Sequence, residues 1–119
     1  MSKHNFKELL IWQKSIDFAV QIYKETASFP KEEMFGLTSQ IRHAAVSMAS
    51  NIAEGCGRNH EKELIQFLGI TQGSSNEVET QLIIANKIDM LGQNSFDKLI
   101  QNINEIQKMN AAFQRHLVK

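Results

Sequence analysis

This chain predicts an all-α protein, an antiparallel up-down-up-down four-helix bundle, and three observations carry that prediction. Apolar residues recur at alternating steps of three and four along four separate stretches, the spacing of one helix face. One proline and six glycines leave too little material for the many tight turns of an all-β fold. The breaks between stretches are short, which sets successive helices side by side in opposite directions. At 119 residues the chain is read as a single domain spanning residues 1–119, long enough for its own core. An apolar share of 42% separates it from disordered sequences.

The first helix follows Asn5, an N-cap with Glu8 as its capping-box partner. Leu9, Trp12, Ile16, Ala19 and Tyr23, stepping +3, +4, +3, +4, form its predicted core stripe. Phe29-Pro30 ends it, because proline pushes the residue before it out of helical backbone. Ile11, Phe18 and Ile22 make a second apolar stripe, displaced from the first. Large apolar residues beyond a core stripe commonly mark a partner surface, so these three are assigned to an interface between copies of the chain; the competing reading is a broad core that absorbs them.

After a connector from Lys31 to Gly36, the second helix carries two stripes. Leu37, Ile41, Ala44, Met48 and Ile52 are apolar; Gln40, Ala44, Ser47, Asn51 and Glu54 run beside them, small and polar. Ala44, Ala45, Ala49 and Ala53 let a neighbouring backbone come close. Gln40, Arg42, Ser47, Asn51, Glu54 and Glu77 are therefore expected to form a structural polar network at a helix or subunit contact. The competing readings are a solvated face and a ligand site. Such networks fix register more than they add stability. The helix stops at Gly55-Cys56-Gly57, where glycine accommodates a left-handed cap.

The third helix starts at Asn59 or His60 and runs to Leu91, with Gly92 just beyond its end. Leu64, Phe67 or Leu68, Thr71, Ser75, Val78, Leu82 and Ala85 are its core positions. Gly69 and Gly73 inside it each cost roughly 1 kcal/mol relative to alanine. A hairpin centred on Gly57 would set Gly69 opposite Ala45 and Gly73 opposite Ile41, giving both glycines a packing role. The fourth helix, capped by Asn94 or Ser95, has the cleanest repeat: Phe96, Leu99, Ile103, Ile106, Asn110, Phe113 and Leu117.

Catalytic patterns are missing. Di-iron bundles require a glutamate three residues before an inward-facing histidine. Met1, Gln40, Gly57 and Phe113 hold that place before His4, His43, His60 and His116. No HExxH zinc pattern, cysteine cluster or phosphate-cradling loop occurs in the sequence. Helical ribonucleases pair an arginine with a histidine little more than a turn later; here Arg42 and Arg58 are followed at that reach by Ser47 and Glu63. Cys56 with His60 is the remaining nucleophile pair, and a lone cysteine in a glycine turn is usually incidental. No catalytic residue, metal ligand or cofactor is expected.

Thirteen basic and thirteen acidic side chains cancel, which argues against strong nonspecific binding to polyanions. The lone cysteine suits a reducing compartment, and neither a signal-peptide core nor a membrane-length run appears, so a cytoplasmic location is expected. The bundle topology would gather Lys3, Lys7, Arg58, Lys62, Arg115 and Lys119 at one end against Glu8, Glu54, Glu61 and Glu63. His4, His60 and His116 join that end. A ring of protomers would multiply it into a patch for phosphates, making these six cations the candidate nucleic-acid contacts.

The order Phe29-Pro30, Glu33, Phe35-Gly36-Leu37, Gln40-Ile41-Arg42, Ser47, Asn51-Ile52-Ala53-Glu54-Gly55 and Gly57-Arg58 resembles the 23S rRNA intervening-sequence protein family. Phe67-Leu68, Gly73-Ser74 and Glu77 extend the likeness over nearly the whole chain. The resemblance implies a small cytoplasmic bacterial four-helix bundle that assembles as a ring, typically a homopentamer, without catalytic residues. Some family members are encoded within sequences inserted in large-subunit rRNA genes. The accessory variability proteins of diversity-generating retroelements are a related branch, whose basic barrel binds nucleic acid and a reverse transcriptase. This chain departs from that branch in its neutral charge. The resulting expectation is a non-enzymatic homo-oligomer associated with RNA or DNA. The alternative is a protein-interaction adaptor that binds no nucleic acid.

Overall fold

Four amphipathic stretches can hide their apolar faces only against one another, and the computed structural model, which describes residues 4–118, shows them doing so. Helices α1 (Leu10–Thr26), α2 (Leu37–Cys56), α3 (Glu61–Lys87) and α4 (Gln93–Leu117) are joined by short connections, with 3₁₀ turns at Phe6–Glu8 and Lys31–Glu33. No strand occurs among the described residues. Ile41, Met48 and Ile52 of α2, Leu64, Leu68, Val78 and Leu82 of α3, and Leu99, Ile103 and Ile106 of α4 are buried in one apolar cluster. The stripes read for these three helices are thus the faces they bury.

Helix α1 is turned differently from the expectation. Ile11, Phe18 and Ile22, assigned to an interface between copies, are 4%, 2% and 0% exposed within the single chain and belong to its own core. Ile16 and Tyr23, read as core, lie at the surface, while Leu9 and Trp12 are half-buried. The physical reason lies in the residues each stripe carries. Phe18 and the two isoleucines have no polar atom to keep wet, whereas Tyr23 and Trp12 do, so they tolerate the rim. Asn5 also has a different duty: its side-chain oxygen accepts from the Lys7 amide at 3.2 Å, capping the first 3₁₀ turn, and α1 begins only after Leu9.

The helix ends differ in detail. Gly57 caps α2 at φ −82°, so no left-handed glycine is used there. Helix α3 stops short of Leu91 through a Schellman motif: Asp89 takes φ 64°, its amide donates to Asn86 O at 3.2 Å, and Met90 N donates to Ala85 O at 2.9 Å. Asp tolerates this backbone better than most non-glycine residues. Gly92 belongs to the next element, as the N-cap of α4, in place of Asn94 or Ser95.

Hydrogen bonds set the register of neighbours. Ser47 with Ser74, Met48 with Thr71 and Gln40 with Gln81 link α2 to α3, running in opposite directions. Their midpoint falls near residue 60 rather than Gly57. That shift moves Gly69 and Gly73 off α2: a methyl group at either would meet nothing within 4 Å. Gly55 is the glycine of close approach. A Cβ there would lie 2.7 Å from Phe67 Cβ and 2.9 Å from Leu64 Cδ1.

Candidate functional site

The residues expected to form one polar network divide into four groups. Ser47 and Asn51 do meet: Asn51 Nδ2 donates to Ser47 O at 2.8 Å and to its hydroxyl at 2.9 Å, while that hydroxyl pairs with Ser74 Oγ at 3.0 Å. Two turns away, Gln81 Nε2 bridges Gln40 Oε1 at 3.4 Å and Glu77 Oε2 at 3.3 Å. Glu54 is taken by Arg58 on its own helix end, at 3.0 Å. Arg42 points to the other side altogether, with Nε donating to Thr26 Oγ1 of α1 at 2.9 Å and Nη2 to Tyr23 O at 3.4 Å.

The division follows from helical angles. Gln40, Ser47 and Glu54 stand seven apart, so they line one face of α2, whereas Arg42 lies two residues from Gln40 and projects elsewhere. Two partners on α3, Ser74 and Gln81, were absent from the sequence assignment. Their own seven-residue spacing, continued back to Phe67, matches that of Gln40, Ser47 and Glu54 and was the available signal. Thr26, the acceptor for Arg42, carried no such signal, since the contact spans two helices across a loop.

At one end of the molecule His4 meets the start of α3 and the end of α4. His4 Nε2 lies 3.5 Å from Glu61 Oε2, and its ring stands edge-on to Phe113 at 5.6 Å. Of the six candidate phosphate contacts, Lys3 and Lys119 fall outside the described residues. Lys7, Arg58, Lys62 and Arg115 are exposed. Arg58 is engaged by Glu54 and stacks over Phe67 at 4.8 Å. Lys7, Lys62 and Arg115 form no ion pair among the described residues.

Cys56 is 4% exposed, and burial pushes its thiol above the ordinary value of 9.0. Its place as the last residue of α2 adds the negative end of the helix dipole, which also disfavours a thiolate. Both effects oppose the nucleophile that a Cys56–His60 enzyme would need. Among the described residues no group of three or more His, Cys, Asp or Glu side chains is placed to hold a metal ion, and no helix is long and apolar enough to cross a membrane.

Fold and side-chain arrangement together define an all-α protein of four helices. The profile of the 23S rRNA-intervening sequence proteins matches residues 7–112, and the chain belongs to that family. Among solved structures, a protein with unknown function from the S23 ribosomal protein family of Bacteroides thetaiotaomicron is similar, with a TM-score of 0.80 and 23% identity over 88% of this chain and 98% of that one. At that identity the likeness speaks for the fold. No curated protein sequence gives a significant match.

Proposed function

We propose that the protein is a non-enzymatic, cytoplasmic scaffold: a single-domain, up-down-up-down bundle that assembles with copies of itself into a ring, a pentamer on the family resemblance, and touches RNA or DNA with its basic end. The observation that carries the nucleic-acid part is the approach of His4 to Glu61 and Phe113, which sets residue 4, the start of α3 and the end of α4 at one end of the molecule, close in sequence to Lys7, Lys62 and Arg115. Three cations per chain with no ion pair among the described residues are a weak site alone and a substantial one when repeated around a ring, because phosphate affinity grows with the number of contacts. A gel-shift titration with rRNA fragments at low salt tests this reading. Retardation that fades as salt rises is the expected result, and Lys62→Ala with Arg115→Ala should flatten the salt slope. No retardation at low salt removes the nucleic-acid role.

The non-enzymatic part draws support from Cys56. Its thiol should react slowly with alkylating reagents at neutral pH, because desolvation holds it protonated. The native pKa is raised, so the stabilisation it reflects is complete below 9.0 and is lost as pH rises through the native value. Cys56→Ala should remove that alkaline dependence in a pH series of denaturation curves.

A further inference from the structure

Arg42 is a guanidinium fixed in place without a carboxylate. Thr26 Oγ1 and Tyr23 O hold it at 2.9 and 3.4 Å, and the Tyr23 ring lies 4.7 Å beneath it. Those contacts leave several of its five N–H groups free. Among the described residues it forms no ion pair. Around it Tyr23, Met34, Phe35 and Val46 are exposed and line one concavity with Ser39 and His43, and Phe35 is 97% bare. An arginine set among aromatic and apolar side chains is the usual composition of a binding hot spot, and one already immobilised loses little further freedom on docking.

The outer face of α3 carries the complementary pattern. Ile70, Glu77 and Ile84 stand seven residues apart and are all exposed, forming one line down the helix. The isoleucines sit roughly 10 Å to either side of the carboxylate. Gln81, 6% exposed, donates to Glu77 Oε2 at 3.3 Å and so holds that side chain, which meets no cation among the described residues. One face is a cation among apolar groups; the other is an anion between apolar groups.

We propose that copies of this chain join head to tail, the Ile70–Glu77–Ile84 line of one lying in the α1–α2 groove of the next so that Glu77 meets Arg42. The inference rests on the self-assembly reading above and gives it the surface that Ile11, Phe18 and Ile22 do not supply. Two different faces make the contact heterologous, the kind that forms a ring when its rotation closes.

Gel filtration with light scattering, on the full chain at fixed concentration, tests the contact. Glu77→Arg, at an exposed site, should weaken association about thirty-fold or more, as reversing one partner of a docked charge pair does. Phe35→Asp should do the same while leaving the circular dichroism melt of the single chain intact. Arg42→Glu should also dissociate the assembly. The double variant Arg42→Glu with Glu77→Arg should restore association, because in a ring of identical copies every contact is then re-paired with the charges exchanged. Wild-type chains of single-chain mass would overturn both the assembly and this contact. Assemblies that survive Glu77→Arg and Phe35→Asp unchanged would overturn this contact and leave self-assembly standing.

Discussion

The α2–α3 contact and the α1–α4 contact solve the same problem with opposite materials. Between α2 and α3 the side chains are short: Gly55 admits Leu64 and Phe67, Ser47 bonds Ser74, and Thr71 Oγ1 donates to Met48 O at 3.2 Å in the buried interior. Between α1 and α4 the polar links are long and exposed, Lys14 with Glu105 at 2.7 Å and Asn102 with Gln21 at 2.8 Å, and they close over an apolar floor of Phe18 and Ile106. Short buried groups fix separation and register, because each must be satisfied where it lies. Long exposed pairs tolerate many geometries and are screened by solvent, so they contribute little. The two contacts should therefore fail in different ways when altered.

The largest effect should come from the floor of the α1–α4 contact. Phe18→Ala is expected to cost about 3–5 kcal/mol in chemical denaturation, whereas Val20→Ala on the exposed side of α1 should fall within about 0.5 kcal/mol. Equal losses at the two sites would mean that α1 is not rotated as described. Next comes Gly55→Ala. Its methyl would press on Phe67 Cβ, which cannot swing away, so α2 and α3 must part, at about 1–3 kcal/mol. Gly69→Ala has the opposite sign: the position is helical and open, and stability should rise by about 0.5–1 kcal/mol. A loss there would restore the packing role that the sequence suggested for this glycine. The smallest effect belongs to Lys14→Ala. Its ion pair has side chains 39% and 56% exposed, and removal should cost under about 1 kcal/mol, less in high salt.

Legibility in the sequence varied with the kind of pattern involved. Helices α2, α3 and α4 could be read with their faces, because each has one apolar stripe and the heptad step names it. Helix α1 has two, Ile11-Phe18-Ile22 and Trp12-Ile16-Tyr23, and periodicity alone cannot say which turns inward. The polar seam was half visible. Ser47 and Asn51 stand out because they sit beside alanines, whereas Ser74 and Gln81 show only their seven-residue spacing, and Arg42 bonds to Thr26 of α1 rather than to the seam. The hairpin turns about three residues beyond Gly57, which shifts every cross-helix pairing by about six and takes Gly69 and Gly73 away from the partners that a turn at Gly57 would give them. In the sequence Gly55 has the form of a stop signal, and only the packed structure reveals it as the point where two helices nearly touch.

The residue order by itself determined the four helices, their family and most of the buried surface, since helical periodicity and the places where it breaks are local properties of the chain. Tertiary structure decided the rotation of α1, the register of α2 against α3, and which charged groups, Arg42 and Glu77 among them, meet no opposite charge among the described residues. These depend on distances between residues far apart in sequence. Many arrangements satisfy the same local pattern, and close packing selects one of them.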